Sequence, residues 1–103
     1  MFLFTDPKTG LEHGYRDQWK DDGCFHYTGE GQRGDQEMKS GNAAVVNHKK
    51  DRRALRLFRG TGGSVKYIGQ FETDVNLFYF ASAPETGQGA SRAVIIFRLR
   101  PVL

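Results

Sequence analysis

Residues 55–81 read LRLFRGTGGSVKYIGQFETDVNLFYFA. Successive side chains of an extended strand point to opposite faces, so a period of two is the mark of a strand. Leu55 and Leu57 alternate with Arg56. Val65, Tyr67 and Phe71 fall on one face with Lys66 and Gln70 opposite, after the turn-forming Gly60-Thr61-Gly62-Gly63. Val75, Leu77, Tyr79 and Ala81 oppose Asn76, Phe78 and Phe80, the pattern of a strand covered on both faces. Downstream, a second turn-forming stretch, Pro84 to Gly89, leads to Ile95, Phe97 and Leu99 on one face and Arg98 and Arg100 on the other.

Upstream the pattern loosens. Asp6-Pro7-Lys8-Thr9-Gly10 reads as a turn after a short opening strand, and Gly23 to Tyr27 reads as a strand running into the glycine-rich Thr28 to Gly34. Asn42 to about Lys50 is the one good helix candidate, with Ser40 or Asn42 placed to cap it. Six or so short strands and one principal helix predict a mainly β (α+β) fold, a small twisted barrel that is closed or nearly so, because closure removes exposed strand edges.

A chain of 103 residues has room for one core, so residues 1–103 are expected to form a single domain. Leu103 follows Arg100-Pro101-Val102 abruptly, and the chain is expected to be one module of a longer protein. The net charge of +3 permits a polyanionic partner without requiring one. Cys24 is the sole cysteine, which excludes an intrachain disulfide and a structural cysteine-cluster metal site. No apolar run approaches the roughly 18 residues of a membrane span. The expected setting is cytoplasmic, without a membrane partner.

Catalytic chemistry has thin support in the sequence. His13, His26 and His48 make no metal-ligand spacing with one another, with Cys24 or with a carboxylate, so neither a metal nor a cofactor is expected. Cys24 and His26 share a strand face and form the only conceivable nucleophilic pair; a small hydrolase built on them is the weakest reading. Gly29 to Gly34 has the glycine density of a phosphate-cradling loop but lacks the Lys-Ser/Thr ending.

The informative stretch is GYRDQWKDDGCFHYTGEGQRG, Gly14 to Gly34, which gathers Tyr15, Asp17, Trp19, Tyr27 and Thr28. Aromatic faces beside a carboxylate suit a flat heterocycle: rings stack on a base for about 1–3 kcal/mol, and a carboxylate accepts from an exocyclic amine such as cytosine N4. Composition alone allows equally that these rings belong to the core.

Tyr15-x-Asp17, Asp22-Gly23, Tyr27-Thr28-Gly29, Gly41-Asn42-x-Ala44 and Leu55-Arg56-Leu57-Phe58-Arg59, in that order and spacing, resemble the SRA (SET- and RING-associated, or YDG) domain. The similarity spans roughly residues 13–60 and is closest in character to the short bacterial form of McrA-like, modification-dependent HNH endonucleases. The resemblance implies a PUA-like β-barrel that binds duplex DNA with modified cytosine, 5-methylcytosine or a relative, and extrudes the base into an aromatic pocket. It implies that Tyr15 and Tyr27 are the two pocket tyrosines and that Thr28 contacts the base edge. Counting from Tyr15 puts Gln18 at the family's aspartate position; Asp17 precedes it and is taken as the edge reader, with Trp19 as a substitute stacking ring.

The loop after Tyr27 is short for the family, which leaves Gln32, Arg33, Gln36, Met38 and Lys39 as candidates to fill the vacated stack. Lys49, Lys50, Arg52, Arg53, Arg56 and Arg59 are the candidates for phosphate contact. These residues support recognition, and the nuclease, an HNH domain, is expected elsewhere in a longer chain. The alternative is a PUA-like module that binds RNA or a nucleotide.

Overall fold

The computed structural model describes residues 1–6, 17–31, 34–61, 63–84 and 91–103. Tyr15, Gln32, Arg33 and His13, with most of the two turns expected at 6–10 and 84–89, lie outside the described residues. The elements are β1 (Phe2–Thr5), β2 (Gln18–Trp19), β3 (Phe25–Thr28), α1 (Ser40–Val46), β4 (Leu55–Thr61), β5 (Ser64–Pro84) and β6 (Ser91–Pro101). All six strands join one sheet in the order β1-β4-β5-β6-β3-β2. Only β1 and β4 run parallel; the other neighbours are antiparallel.

The sheet curls into a half-barrel around one core, as the alternating pattern predicts. Ile95, Phe97 and Leu99 of β6 face inward with Leu55, Leu57, Phe71, Phe25, Leu3 and Val45. The other face of β6 is covered too, where Val94 and Ile96 pack on Ala83. Each such side chain contributes about 1.5–3 kcal/mol by leaving water, and β6 is buried on both faces through Val94 to Phe97. The barrel is open rather than closed: β1 and β2 are the two ends of the strand order, and they meet through side chains.

Four expectations change. The helix ends at Val46, not Lys50, and turns follow it, with Arg52 in the left-handed region at φ +56°. Neither Ser40 nor Asn42 caps it; Lys39 occupies that position without a side-chain hydrogen bond, because the Asn42 amide is spent on the backbone of Glu30 and Glu37. Val65 and Tyr67 do not share a face with Phe71. Leu57 pairs with Gly69 but Phe58 pairs with Tyr67, so Ile68 is the extra residue of a β-bulge that reverses the alternation. Phe71 is therefore buried while Val65 and Tyr67 are exposed. In β5, Thr73 pairs with Leu99 and Phe78 with Phe97, which puts four residues opposite Arg98 alone; Val75 is 85% exposed there instead of covered.

The reversal leaves an aromatic ladder on the outer face. Phe58 packs against Phe2, Phe4 and Tyr67 at ring-centroid distances of 5.3, 5.4 and 5.1 Å, and Phe2, Phe4 and Tyr67 are exposed.

Candidate functional site

The site is built where the sheet's two ends approach each other, and Asp17 makes the join. Gln18 pairs with His26 and Trp19 with Phe25, while Thr28 pairs with Ile96 of β6 on its other side. The Asp17 carboxylate accepts from the Thr28 N–H at 2.7 Å through Oδ1, while Oδ2 accepts from the Thr5 hydroxyl of β1 at 2.8 Å. One side chain thus ties β1, β2 and β3. Burial pushes the Asp17 carboxyl above its ordinary range, and the hydrogen bonds from Thr28 and Thr5 act against that rise. The Thr28 hydroxyl is buried beside this carboxylate without the geometry of a hydrogen bond.

Asp17 opens onto a cavity of about 350 Å³ lined by Thr5, Asp17, Gln18, Trp19, Phe25, Leu57, Arg59 and Ile68. Its floor is the core, and its rim carries the Trp19 indole, 51% exposed and packed on Phe25 and Phe71 at 5.5 and 5.7 Å between centroids. The lining combines an exposed ring, a carboxylate and the Arg59 guanidinium. A carboxylate has about four acceptor positions, so the two bonds to Thr5 and Thr28 leave Asp17 able to accept from a ligand. Asp17 is an edge-reading candidate that is also a structural tie, a double role that the sequence does not disclose.

Trp19 and Asp17, both candidates from the sequence, line the same cavity. Tyr27 lies one strand step beyond Phe25 on the inner face of β3, half-buried against the core, and its hydroxyl donates to the Phe4 carbonyl of β1 at 3.2 Å. Burial, then the Asp17 charge, pushes that hydroxyl up to about 12. The residues that sequence reasoning left out of the pocket are Thr5, Phe25, Leu57 and Ile68, and Gln18, passed over there for Asp17, with Arg59 assigned to phosphate instead. Leu3/Thr5 alternation carries a signal for Thr5; the placement of Ile68 comes from the bulge and has none.

Gly29 and Gln36 are latched to β6. Gln36, a candidate wedge in the sequence, is buried: its amide donates to the carbonyls of Gly29 and Gly31 and its oxygen accepts from Ile95 N–H. It is a strand-mimicking staple and is not available as a wedge. Arg92 adds hydrogen bonds to the carbonyls of Gly31 and Gly34. Asn42 grips Glu30 from α1, so closely that a Cβ on Gly29 would sit 2.7 Å from its Oδ1. Lys39 is exposed and paired with Glu37 at 2.6 Å, and Met38 is exposed beside it.

The basic residues do not form one face. Lys49, Arg52 and Arg53 rim a separate hollow of about 290 Å³, where Lys49 meets Glu72 at 3.3 Å. Lys50 is exposed in the turn between them. Arg56 points outward and donates to the Tyr67 hydroxyl at 3.1 Å, whereas Arg59, three residues on, lines the cavity.

The Cys24–His26 pair is not made. His26 is buried, with its two ring nitrogens on the Tyr79 hydroxyl at 2.7 Å and the Asp22 carboxylate at 2.8 Å. Burial pushes the Cys24 thiol up, away from the thiolate that a nucleophile needs. Arg98 completes that cluster, with its guanidinium 4.4 Å from the centre of the Tyr79 ring. Among the described residues no group of three metal-ligating side chains converges, and no helix is long and apolar enough to cross a membrane.

This arrangement has relatives among solved structures. The SRA domain of SUVH5 in complex with methylated CHH DNA superimposes with a TM-score of 0.68 at 21% identity, over 98% of this chain and 62% of that one. The sulfur-binding and SRA domains of ScoMcrA complexed with phosphorothioated DNA give 0.75 at 23%, over 98% of this chain and 30% of that one. KRYPTONITE in complex with mCHG DNA and SAH gives 0.68 at 18%, over 100% and 23%. Likeness at these identities is a likeness of fold, and the chain spans less than two thirds of each of these relatives. No curated protein matches it. The family described as "ScoMcrA-like, SRA domain" matches residues 1–103. With the motifs of residues 13–60, the curled sheet and a match across its length all in agreement, this chain belongs to the ScoMcrA-like SRA-domain family.

Proposed function

We propose that the domain binds duplex DNA containing a modified cytosine and holds that base, turned out of the helix, in the cavity between β1 and β2. The observation that carries the reading is the cavity wall in a chain of this family: Asp17 is held with acceptor capacity to spare beside the exposed ring of Trp19. Relatives with the same fold are complexes with methylated or phosphorothioated DNA. Extrusion costs a few kcal/mol in lost stacking and pairing. Stacking on Trp19 at about 1–3 kcal/mol and a hydrogen bond from cytosine N4 to Asp17 offset that cost. Phosphate contacts from Lys49, Lys50, Arg52 and Arg53 supply affinity without regard to sequence. Tyr27, which packs on the core beside the cavity, and Tyr15 are proposed as further rings for the extruded base.

In this reading the domain recognises and does not cut. Cleavage in a modification-dependent restriction system would belong to a nuclease domain, of HNH type, elsewhere in a longer protein. The test is a binding competition among matched duplexes with cytosine, 5-methylcytosine, 5-hydroxymethylcytosine or N6-methyladenine at one position. Preference for a modified cytosine over cytosine is expected; equal affinity for all four duplexes, or a preference for single-stranded RNA, contradicts the proposal.

A further inference from the structure

Among the described cations, Arg59 is set apart by its place on the cavity lining. Lys49, Arg98 and Arg100 each lie within ion-pair distance of a carboxylate, and Arg56 bonds to Tyr67. Arg59 is exposed, lines the cavity of Asp17 and Trp19, and has no ion-pair partner among the described residues. Register fixes its place: Arg59 is the partner of Thr5 across β1 and β4, and the Thr5 hydroxyl holds Asp17. Paired strands lie about 4.7–4.9 Å apart, so a carboxylate and a guanidinium flank one threonine on the same wall.

A ligand that matches this wall has an N–H donor next to an anionic group. Cytosine has its amine on carbon 4, and the substituent on carbon 5 is the adjacent position. A methyl group there offers the guanidinium nothing, and a cation covered without a partner opposes binding. A carboxyl group offers two oxygens to a fork of N–H donors, the pairing that makes guanidinium–carboxylate contacts about twice as strong as neutral hydrogen bonds. Resting on the function proposed above, we propose that the cavity is matched to a cytosine with an acidic 5-substituent, such as 5-carboxylcytosine, and that Arg59 is the residue that determines this preference. The amine donates to Asp17, the carboxylate accepts from Arg59, and the indole of Trp19 covers the ring.

The test is a competition of the whole chain against three duplexes that differ at one base: cytosine, 5-methylcytosine and 5-carboxylcytosine. We expect the carboxylated duplex to bind about tenfold more tightly than the methylated one, an advantage lost in Arg59→Gln and partly kept in Arg59→Lys. The lysine variant retains the charge and the aliphatic stem, so it reads the preference even where glutamine disturbs the fold. A wild-type domain that binds the carboxylated duplex no better than the methylated one overturns the inference while leaving the wider reading intact. Equal loss on all three duplexes in Arg59→Gln assigns the guanidinium to phosphate and overturns it as well. No preference for either modified base over cytosine overturns both.

Discussion

Asp17 ties β1 to β3 and, in the proposed reading, also accepts from the base, and the two roles separate by pH. Burial raises its carboxyl above the ordinary value of 3.8, so the folded chain holds that proton to higher pH than the unfolded chain does. The contribution to stability is then complete below about pH 3.8 and is lost as pH rises through the raised folded value. Asp17→Asn removes the charge but keeps a group that hydrogen-bonds both Thr5 and Thr28. We expect urea midpoints of the variant to lack the decline that the wild type shows above pH 3.8. On DNA, the same variant should blur the choice of base more than it lowers total affinity, since an amide presents altered polarity to the base edge.

Tyr27 illustrates a residue whose role was half legible. Its place in the Tyr-Thr-Gly motif marked it for the pocket, but its hydroxyl is occupied by the Phe4 carbonyl and its ring packs on the core. Tyr27→Phe should keep binding to modified DNA and cost about 0.5–1.5 kcal/mol in stability, the net worth of one hydrogen bond. Tyr27→Ala should weaken modified-DNA binding by about 1–3 kcal/mol and lower thermal stability too. Calorimetric unfolding with parallel titrations of DNA separates the two effects; a phenylalanine variant that binds as poorly as the alanine one would mean that the hydroxyl, not the ring, faces the ligand.

At the scale of elements, legibility follows periodicity. Leu55/Leu57 and Ile95/Phe97/Leu99 repeat every second residue, and these strands lie where the pattern places them. β2 has only two residues and no period to read; it is stabilised by Trp19 packing on Phe25 and Phe71. The bulge at Ile68 reverses a face without any change in composition, with Gly69 beside it at φ +151°, so strict alternation misassigned Val65 and Tyr67. Asn42 has a capping residue's chemistry but serves a distant loop, a competition between local and tertiary hydrogen bonds that sequence alone does not decide. Gln36 is the corresponding test. Gln36→Met keeps the volume but strands the Ile95 N–H and the Gly29 carbonyl, while Arg92 still holds the Gly31 carbonyl, and each buried orphan costs about 1–3 kcal/mol. Faster amide exchange confined to residues 29–36 and the start of β6 is expected; protection unchanged from the wild type would show that the latch is held by Arg92 and Asn42 alone.

For the molecule as a whole, the cations fall in two places. Arg59 lines the cavity with Asp17 and Trp19, while Lys49, Arg52 and Arg53 rim a second hollow, which Phe71, packed on Trp19, also lines. Composition supplied only a net charge of +3, and the separation of Arg59 from its sequence neighbours needed the strand register. Neutralising Lys49 and Arg52 together should weaken modified and unmodified duplexes about equally and lower the salt slope by about two. A change in base preference from that pair would place their hollow, not the β1–β2 cavity, at the base.

In the proposed function a modified base leaves the duplex and enters the cavity between β1 and β2. Fluorescence of 2-aminopurine placed beside a single modified cytosine reads this directly, because the probe brightens when its neighbour leaves the stack. On saturation with the domain we expect a rise for the modified duplex that is absent for the matched unmodified one and strongly reduced in Trp19→Ala. Saturated binding with no rise in fluorescence would contradict extrusion.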